Sequence, residues 1–282
     1  MSSNITINPG LDLEALRMLR TPRHDEQALL RRIEQHYSIH AGYLPISGGK
    51  DSAVVAHLAR QVDPDIPMVF FDSGLEFPET YAYLAHLVEA WGINLHIERS
   101  RVPLLTVLAS NGSWDHRAPL SPVRTDLHEL LITEPAARAH EQFGAGELWG
   151  VRADEAAGRN TLYARALGDE VRRSCNGCCS TPRQRRQTHG GIIRRVDGTV
   201  AYGPVWNFST DDIACYAARH AMPLNPVYAK LQCLGVPKQA QRLSHVLDGS
   251  KLEEGRATWL RLGWPQLFDE LAEVLPRLRE YV

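Results

Sequence analysis

One stretch constrains this chain more than any other. The apolar run Tyr43-Leu44-Pro45-Ile46 leads directly into Ser47-Gly48-Gly49-Lys50-Asp51-Ser52, and Ala53-Val54-Val55-Ala56-His57-Leu58-Ala59 follows with the apolar density of a buried helix. A strand, a glycine turn and a helix start in this order form a cradle for phosphate. The glycines let the backbone approach closely, and the unpaired N–H groups of the first helical turn face the anion. Lys50 adds a mobile positive charge, and Ser47 and Ser52 add hydroxyl donors. A plain glycine turn between two buried elements would need none of these groups.

The 282 residues carry a net charge of −2, with 44% hydrophobic and 23% charged side chains. That balance fits a soluble globular protein and lacks a global basic signature, so any nucleic-acid contact has to come from a local patch. The first ten residues have neither a basic nor an apolar leader region, and no run approaches the ~20 apolar residues of a membrane span. The expectation is a cytoplasmic protein with no membrane contact. An odd set of five cysteines, Cys175, Cys178, Cys179, Cys215 and Cys233, argues against a disulfide framework and for metal, cluster or thiol chemistry.

Along the chain, Leu11–Arg20 and His24–Tyr37 read as helices. Pro67–Phe71 reads as a short buried strand ending in Asp72-Ser73-Gly74-Leu75-Glu76-Phe77-Pro78, with a helix from Glu79 to Trp91 and a strand from Asn94 to Glu98. Asp126–Ile132 and Glu134–Phe143 look helical, Glu147–Val151 looks like another strand, and Asp211–His220 like a helix capped by Ser209 or Thr210. The tail from Val236 to Val282 is helical by periodicity. This alternation predicts a doubly wound parallel sheet with ligands at the carboxyl ends of the strands. It divides into a helical N-terminal extension (1–40), a nucleotide-binding domain (41–230) with a Cys/Arg-rich insertion (172–200), and a helical C-terminal region (231–282).

The turn lacks the residue spacing of the common P-loop. It resembles instead the PP-loop of the ATP pyrophosphatases. The ordered set GGKDSAVVAHLA, FFDSGLEFPETY, GVRADEAAGR and GPVWNFSTDDIACYAARHAMPLNPVY is similar to the phosphoadenylylsulfate (PAPS) reductase branch over roughly residues 40 to 230. The resemblance implies an adenine nucleotide alpha-hydrolase-like fold that takes ATP with Mg²⁺, or a related adenine nucleotide. It places phosphates on Ser47, Gly48, Gly49, Lys50, Asp51 and Ser52. Phe71, Asp72 and Ser73 would flank the adenosine, and Gly150, Arg152 and Arg159 would close over the phosphate end. Lys50 and Arg152 would face the charge that develops during reaction.

The departures shift the expected chemistry. Reductases of this family act through a cysteine near the C-terminus, and no cysteine follows Cys233 here. Intact nucleotide motifs without that thiol resemble the sulfurtransferases of DNA phosphorothioation and tRNA thiolation. The expected reaction is therefore adenylation of an acceptor, with sulfur supplied by a partner such as a cysteine desulfurase. A PAPS or adenylylsulfate reductase and a non-catalytic nucleotide-sensing subunit are the rival readings. Cys175, Cys178 and Cys179, with Cys233 as fourth ligand, would hold a 4Fe–4S cluster; a structural zinc and ligand-free thiols are the alternatives. From Arg172 to Arg195 seven arginines occur with no acidic residue, which suits an anionic partner, nucleic acid included, met at its phosphates. A homodimer is a further expectation.

Overall fold

The computed structural model describes residues 21–112, 114–115, 117–118, 125–237, 240–243, 246–247, 252 and 255–282. The helix expected over Leu11–Arg20 lies outside them. In chain order the elements begin with α1 (Glu26–His40), β1 (Gly42–Pro45), α2 (Lys50–Val62), β2 (Pro67–Asp72), α3 (Pro78–Trp91), β3 (Asn94–Arg99) and α4 (Leu104–Asn111). They continue with α5 (Glu134–Phe143), β4 (Gly146–Leu148), α6 (Ala157–Ser174), α7 (Pro182–His189), β5 (Ile192–Arg194) and β6 (Val200–Tyr202). The last are α8 (Thr210–Arg219), α9 (Val227–Cys233), α10 (Arg256–Gly263) and α11 (Pro265–Val274), before a closing 3₁₀ turn, Pro276–Tyr281.

The strands form one six-stranded sheet in the order β3-β2-β1-β4-β6-β5. All neighbours run parallel except β5, which pairs antiparallel with β6. The chain leaves β1 toward β2 and β3 on one side and returns to β4 and β6 on the other. β1 therefore stands at the reversal of strand order, where doubly wound sheets open a crevice beyond the strand ends. The expected α/β doubly wound fold is present, with the glycine turn at that crevice.

α2 carries Ala53, Val54, Val55, Ala56, Leu58 and Ala59 fully buried against Leu44, Ile46 and Met68 of the sheet. α1 begins at Asp25, whose carboxylate accepts from the Ala28 N–H at 3.1 Å, and delivers Ile33 into this same core. A second core joins α9, α10, α11 and the closing turn to Leu75, Phe77, Leu104 and Leu108. Glu79 ties the two together: it accepts from the Trp264 indole at 2.7 Å and from Lys230 Nζ at 3.0 Å.

Three local expectations change. The helices read over Asp126–Ile132 and Glu134–Phe143 run together through a π turn at Glu129–Thr133. Pro135 has no N–H to give the carbonyl four residues back, so the ladder loosens there without breaking. Residues 172–200 are not a pure insertion, because they supply the edge strand β5 and the start of β6. The tail is helical from Arg256, whereas the described residues between Val236 and Gly255 belong to no α-helix. Among the described residues no helix is long and apolar enough to cross a membrane.

Candidate active site

β1 ends at Pro45, and the turn Ser47–Gly49 carries the chain into α2. Gly48 has φ +71°, and a β-carbon there would press on Thr80 at 3.1 Å, so glycine is needed. Hydroxyls hold the turn in shape. Ser52 Oγ donates to the Gly49 carbonyl at 3.0 Å and accepts from the Ser47 N–H at 3.3 Å, and the two serine oxygens lie 3.2 Å apart. Gly49 caps α2 without a side-chain acceptor, which leaves the first-turn N–H groups directed into the turn.

The loop after β4 reaches the turn at two points. A β-carbon on Gly150 would sit 2.7 Å from the Ser52 nitrogen, so only glycine allows that approach. Arg152, 3% exposed, donates from Nε to Asp51 Oδ1 at 2.7 Å, from Nη1 to the Phe208 carbonyl at 3.2 Å, and also to Asp154. Its guanidinium is shared among these acceptors and holds Asp51 in place. Arg159, in the first turn of α6, pairs with Glu155, which accepts from the Arg152 backbone N–H at 3.1 Å. Lys50 Nζ lies 3.3 Å from Asp51 Oδ2 and 5.4 Å from the centre of the Tyr228 ring.

Asn225 and Tyr228 complete the frame. The Asn225 side-chain amide, 2% exposed, donates to the Gly48 carbonyl at 3.4 Å and to Thr80 Oγ1 at 3.2 Å. Tyr228 Oη accepts from the Lys50 N–H at 3.3 Å, and burial pushes its hydroxyl up to about 12. The sequence reading assigned these two residues no role; their place in the NPVY segment was the available signal.

At the end of β2, Asp72 accepts from Tyr81 Oη at 2.8 Å and from the Gly74 N–H at 2.9 Å, with Arg99 Nε at 3.7 Å. Ser73 Oγ donates to Glu76 at 2.8 Å. Burial raises the Glu76 carboxyl to about 7 against the lowering effect of that bond, with the Asp72 charge adding to the rise. Phe71 points to the other face, in a small cluster with Tyr43 and Phe143.

The family model of the phosphoadenosine phosphosulfate reductase domain matches residues 42–235. The chain belongs to that family. Among curated members, the phosphoadenosine 5'-phosphosulfate reductase of Synechococcus sp. is 36% identical over 187 residues, covering 66% of this chain and 68% of the relative. The reductase of Xanthomonas campestris pv. campestris is 29% identical over 225 residues, covering 78% and 79%. Among solved structures, a PAPS reductase from Candida auris aligns at 19% identity with a TM-score of 0.49, covering 81% of this chain and 94% of that one. The U34-tRNA thiolase of Methanococcus maripaludis aligns at 15% identity and 0.41, covering 92% and 81%.

Cys175, Cys178 and Cys179 gather at the C-terminal end of α6 together with His189, which ends α7. His189, and not the expected Cys233, completes this group among the described residues: Cys233 is exposed at the end of α9. The α6 axis spans 18 residues, about 27 Å, from the Arg159 end beside the turn to the cysteine end. Bonds from Cys175 and Cys179 push the Cys178 thiol up to about 11. The arginine run is partly neutralised from outside its own stretch, since Arg194 pairs with Glu170, Arg195 with Glu147 and Arg172 with Asp169. Arg186 lies over Trp206 at 5.2 Å, and Arg183 and Arg185 make no ion pair among the described residues.

Proposed function

We propose that the chain is a PP-loop ATP pyrophosphatase that adenylates an acceptor for sulfur transfer. The supporting observation is the composition of the frame around the turn. Serine, glycine, Lys50, Asp51, Arg152, Asn225 and Tyr228 build it, and no thiol of the described residues takes part. Such a frame suits charge stabilisation at phosphate and lacks a group to accept sulfur from a bound sulfate ester. The Ser47–Ser52 turn and Lys50 would hold the β- and γ-phosphates of ATP, and Mg²⁺ would arrive with the nucleotide and offset its charge. An acceptor oxygen attacks the α-phosphorus, the bond to the bridging oxygen breaks, and pyrophosphate leaves. The terminal sulfur of a cysteine desulfurase persulfide then displaces AMP, and a second thiol reduces the resulting acceptor–S–S–cysteine bond, which frees the thiolated acceptor and leaves a disulfide. The acceptor chemistry that fits is nucleic acid, with a DNA phosphate as the first candidate, met by the exposed Arg183 and Arg185 of α7.

ATP–pyrophosphate exchange across DNA, tRNA and sulfate tests this reading, with exchange expected for a nucleic acid and loss of it in Lys50→Ala. A second reading, reduction of PAPS, is favoured by the names of the curated relatives. Steady sulfite release from PAPS and a dithiol would establish it in place of the first.

A further inference from the structure

The group at the α6–α7 corner is spaced for a single ion. Cys178 Sγ lies 3.5 Å from Cys175 Sγ, 3.6 Å from Cys179 Sγ and 3.5 Å from His189 Nε2. All four ligand atoms fall within 4.8 Å of one another. Tetrahedral zinc, with bonds of about 2.3 Å to sulfur and about 2.0 Å to nitrogen, places its ligand sulfurs about 3.8 Å apart and sulfur from nitrogen about 3.5 Å apart. A cubane cluster binds each thiolate at a different outward corner, which separates the sulfurs well beyond van der Waals contact.

The local fold also needs a tie. α7 reads Pro182-Arg183-Gln184-Arg185-Arg186-Gln187-Thr188-His189, eight residues whose one apolar side chain is the exposed Pro182, and only His189 is buried. A helix of this length does not stand alone, and this one has no apolar face to dock. A capping box between Thr181 and Gln184 starts it, and His189 is the point at which it returns to the body of the protein. Three thiolates, one imidazole and a divalent ion sum to one negative charge. Arg172 and Arg173 in the last turn of α6 and Arg183 in the first turn of α7 flank the group along the chain, which suits that charge.

We propose that Cys175, Cys178, Cys179 and His189 bind one zinc ion in a closed tetrahedral site that pins α7 to the end of α6. The site is independent of which nucleotide the turn takes. All four positions are filled by protein, and the site stands a helix length from the Arg159 end of α6. Its work is to hold the arginine-bearing helix, not to activate a substrate.

The test is metal analysis of the full chain purified anaerobically, with cobalt substitution as a second measurement. The expected result is colourless protein with about one zinc per chain and no acid-labile sulfide, and the cobalt form should show the intense visible bands of a tetrahedral thiolate complex. Cys233→Ser should keep the zinc. Cys178→Ser should lose it, with α7 becoming the first site cut in limited proteolysis. His189→Cys guards against a variant that merely misfolds, because it should retain the metal and shift the cobalt spectrum. Brown protein carrying iron and sulfide, metal loss in Cys233→Ser, or an unchanged cobalt spectrum in His189→Cys would each overturn the proposal.

Discussion

At Arg152 the electrostatics are set by burial. Its guanidinium is 3% exposed and its partner Asp51 lies in the first turn of α2, so removing the cation leaves that half-buried carboxylate with only the Lys50 ammonium beside it. Breaking a buried pair from one side costs about 3–5 kcal/mol. Arg152→Met is expected to lose that order of stability in urea unfolding. Arg152→Lys should recover only part, since one ammonium cannot serve both Asp51 and the Phe208 carbonyl. Glu76 behaves oppositely. Its folded carboxyl titrates near 7 because of burial, so the folded state holds more protons than the unfolded chain between about pH 4.5 and 7, and stability falls as pH rises through that window. Glu76→Gln should therefore stabilise the protein at pH 8 by on the order of 2 kcal/mol and leave it unchanged at pH 4, read from paired denaturation curves.

The elements that frame the turn divide into those the sequence announces and those it hides. Tyr43–Ile46 and, but for His57, Ala53–Ala59 are legible because burial makes them apolar. β5 and β6 are three residues each, too short for any periodicity to show. The Arg152–Asp51 contact joins residues 101 apart and the Asn225–Gly48 contact residues 177 apart, so neither can be read from spacing. His189 escaped for a related reason: ten residues separate it from Cys179, and only the α7 turn brings it back. α9 reaches the turn through one hydroxyl, and that contact can be weighed. Tyr228→Phe removes the acceptor for the Lys50 N–H while keeping the ring beside Nζ, so it should cost about 1 kcal/mol and, on the proposed function, weaken ATP binding several-fold in calorimetry. Gly150→Ala, which drives a β-carbon into the Ser52 backbone, should weaken binding by at least about tenfold, with a stability loss of about 1–3 kcal/mol.

At the scale of the whole molecule, the helices on the sheet bring histidines into a core built from apolar side chains. His36 of α1 is 7% exposed, and its Nε2 has no hydrogen-bond partner among the described residues. Burial lowers it to about 4, with the neighbouring His40 adding to the fall. His57 of α2 shares a bond of 3.0 Å with Tyr216 of α8 and is also lowered to about 4, by burial first and then by His220 and Arg60. Both residues sit on helices packed into one core on the same face of the sheet, so their protonation strains that shared packing. In the unfolded chain each takes a proton near pH 6.5, while in the folded protein neither does until about pH 4. Between those values the unfolded state binds more protons, and stability is lost as pH falls. The loss is on the order of 2 kcal/mol for each histidine by pH 5. In a Glu76→Gln background, which removes the opposing Glu76 titration, denaturant midpoints measured from pH 7.5 to 4.5 should drop below 6.5. His57→Gln should flatten that slope by roughly half, because glutamine can still reach the Tyr216 hydroxyl but carries no proton equilibrium. An unchanged slope in that variant would place the acid sensitivity elsewhere.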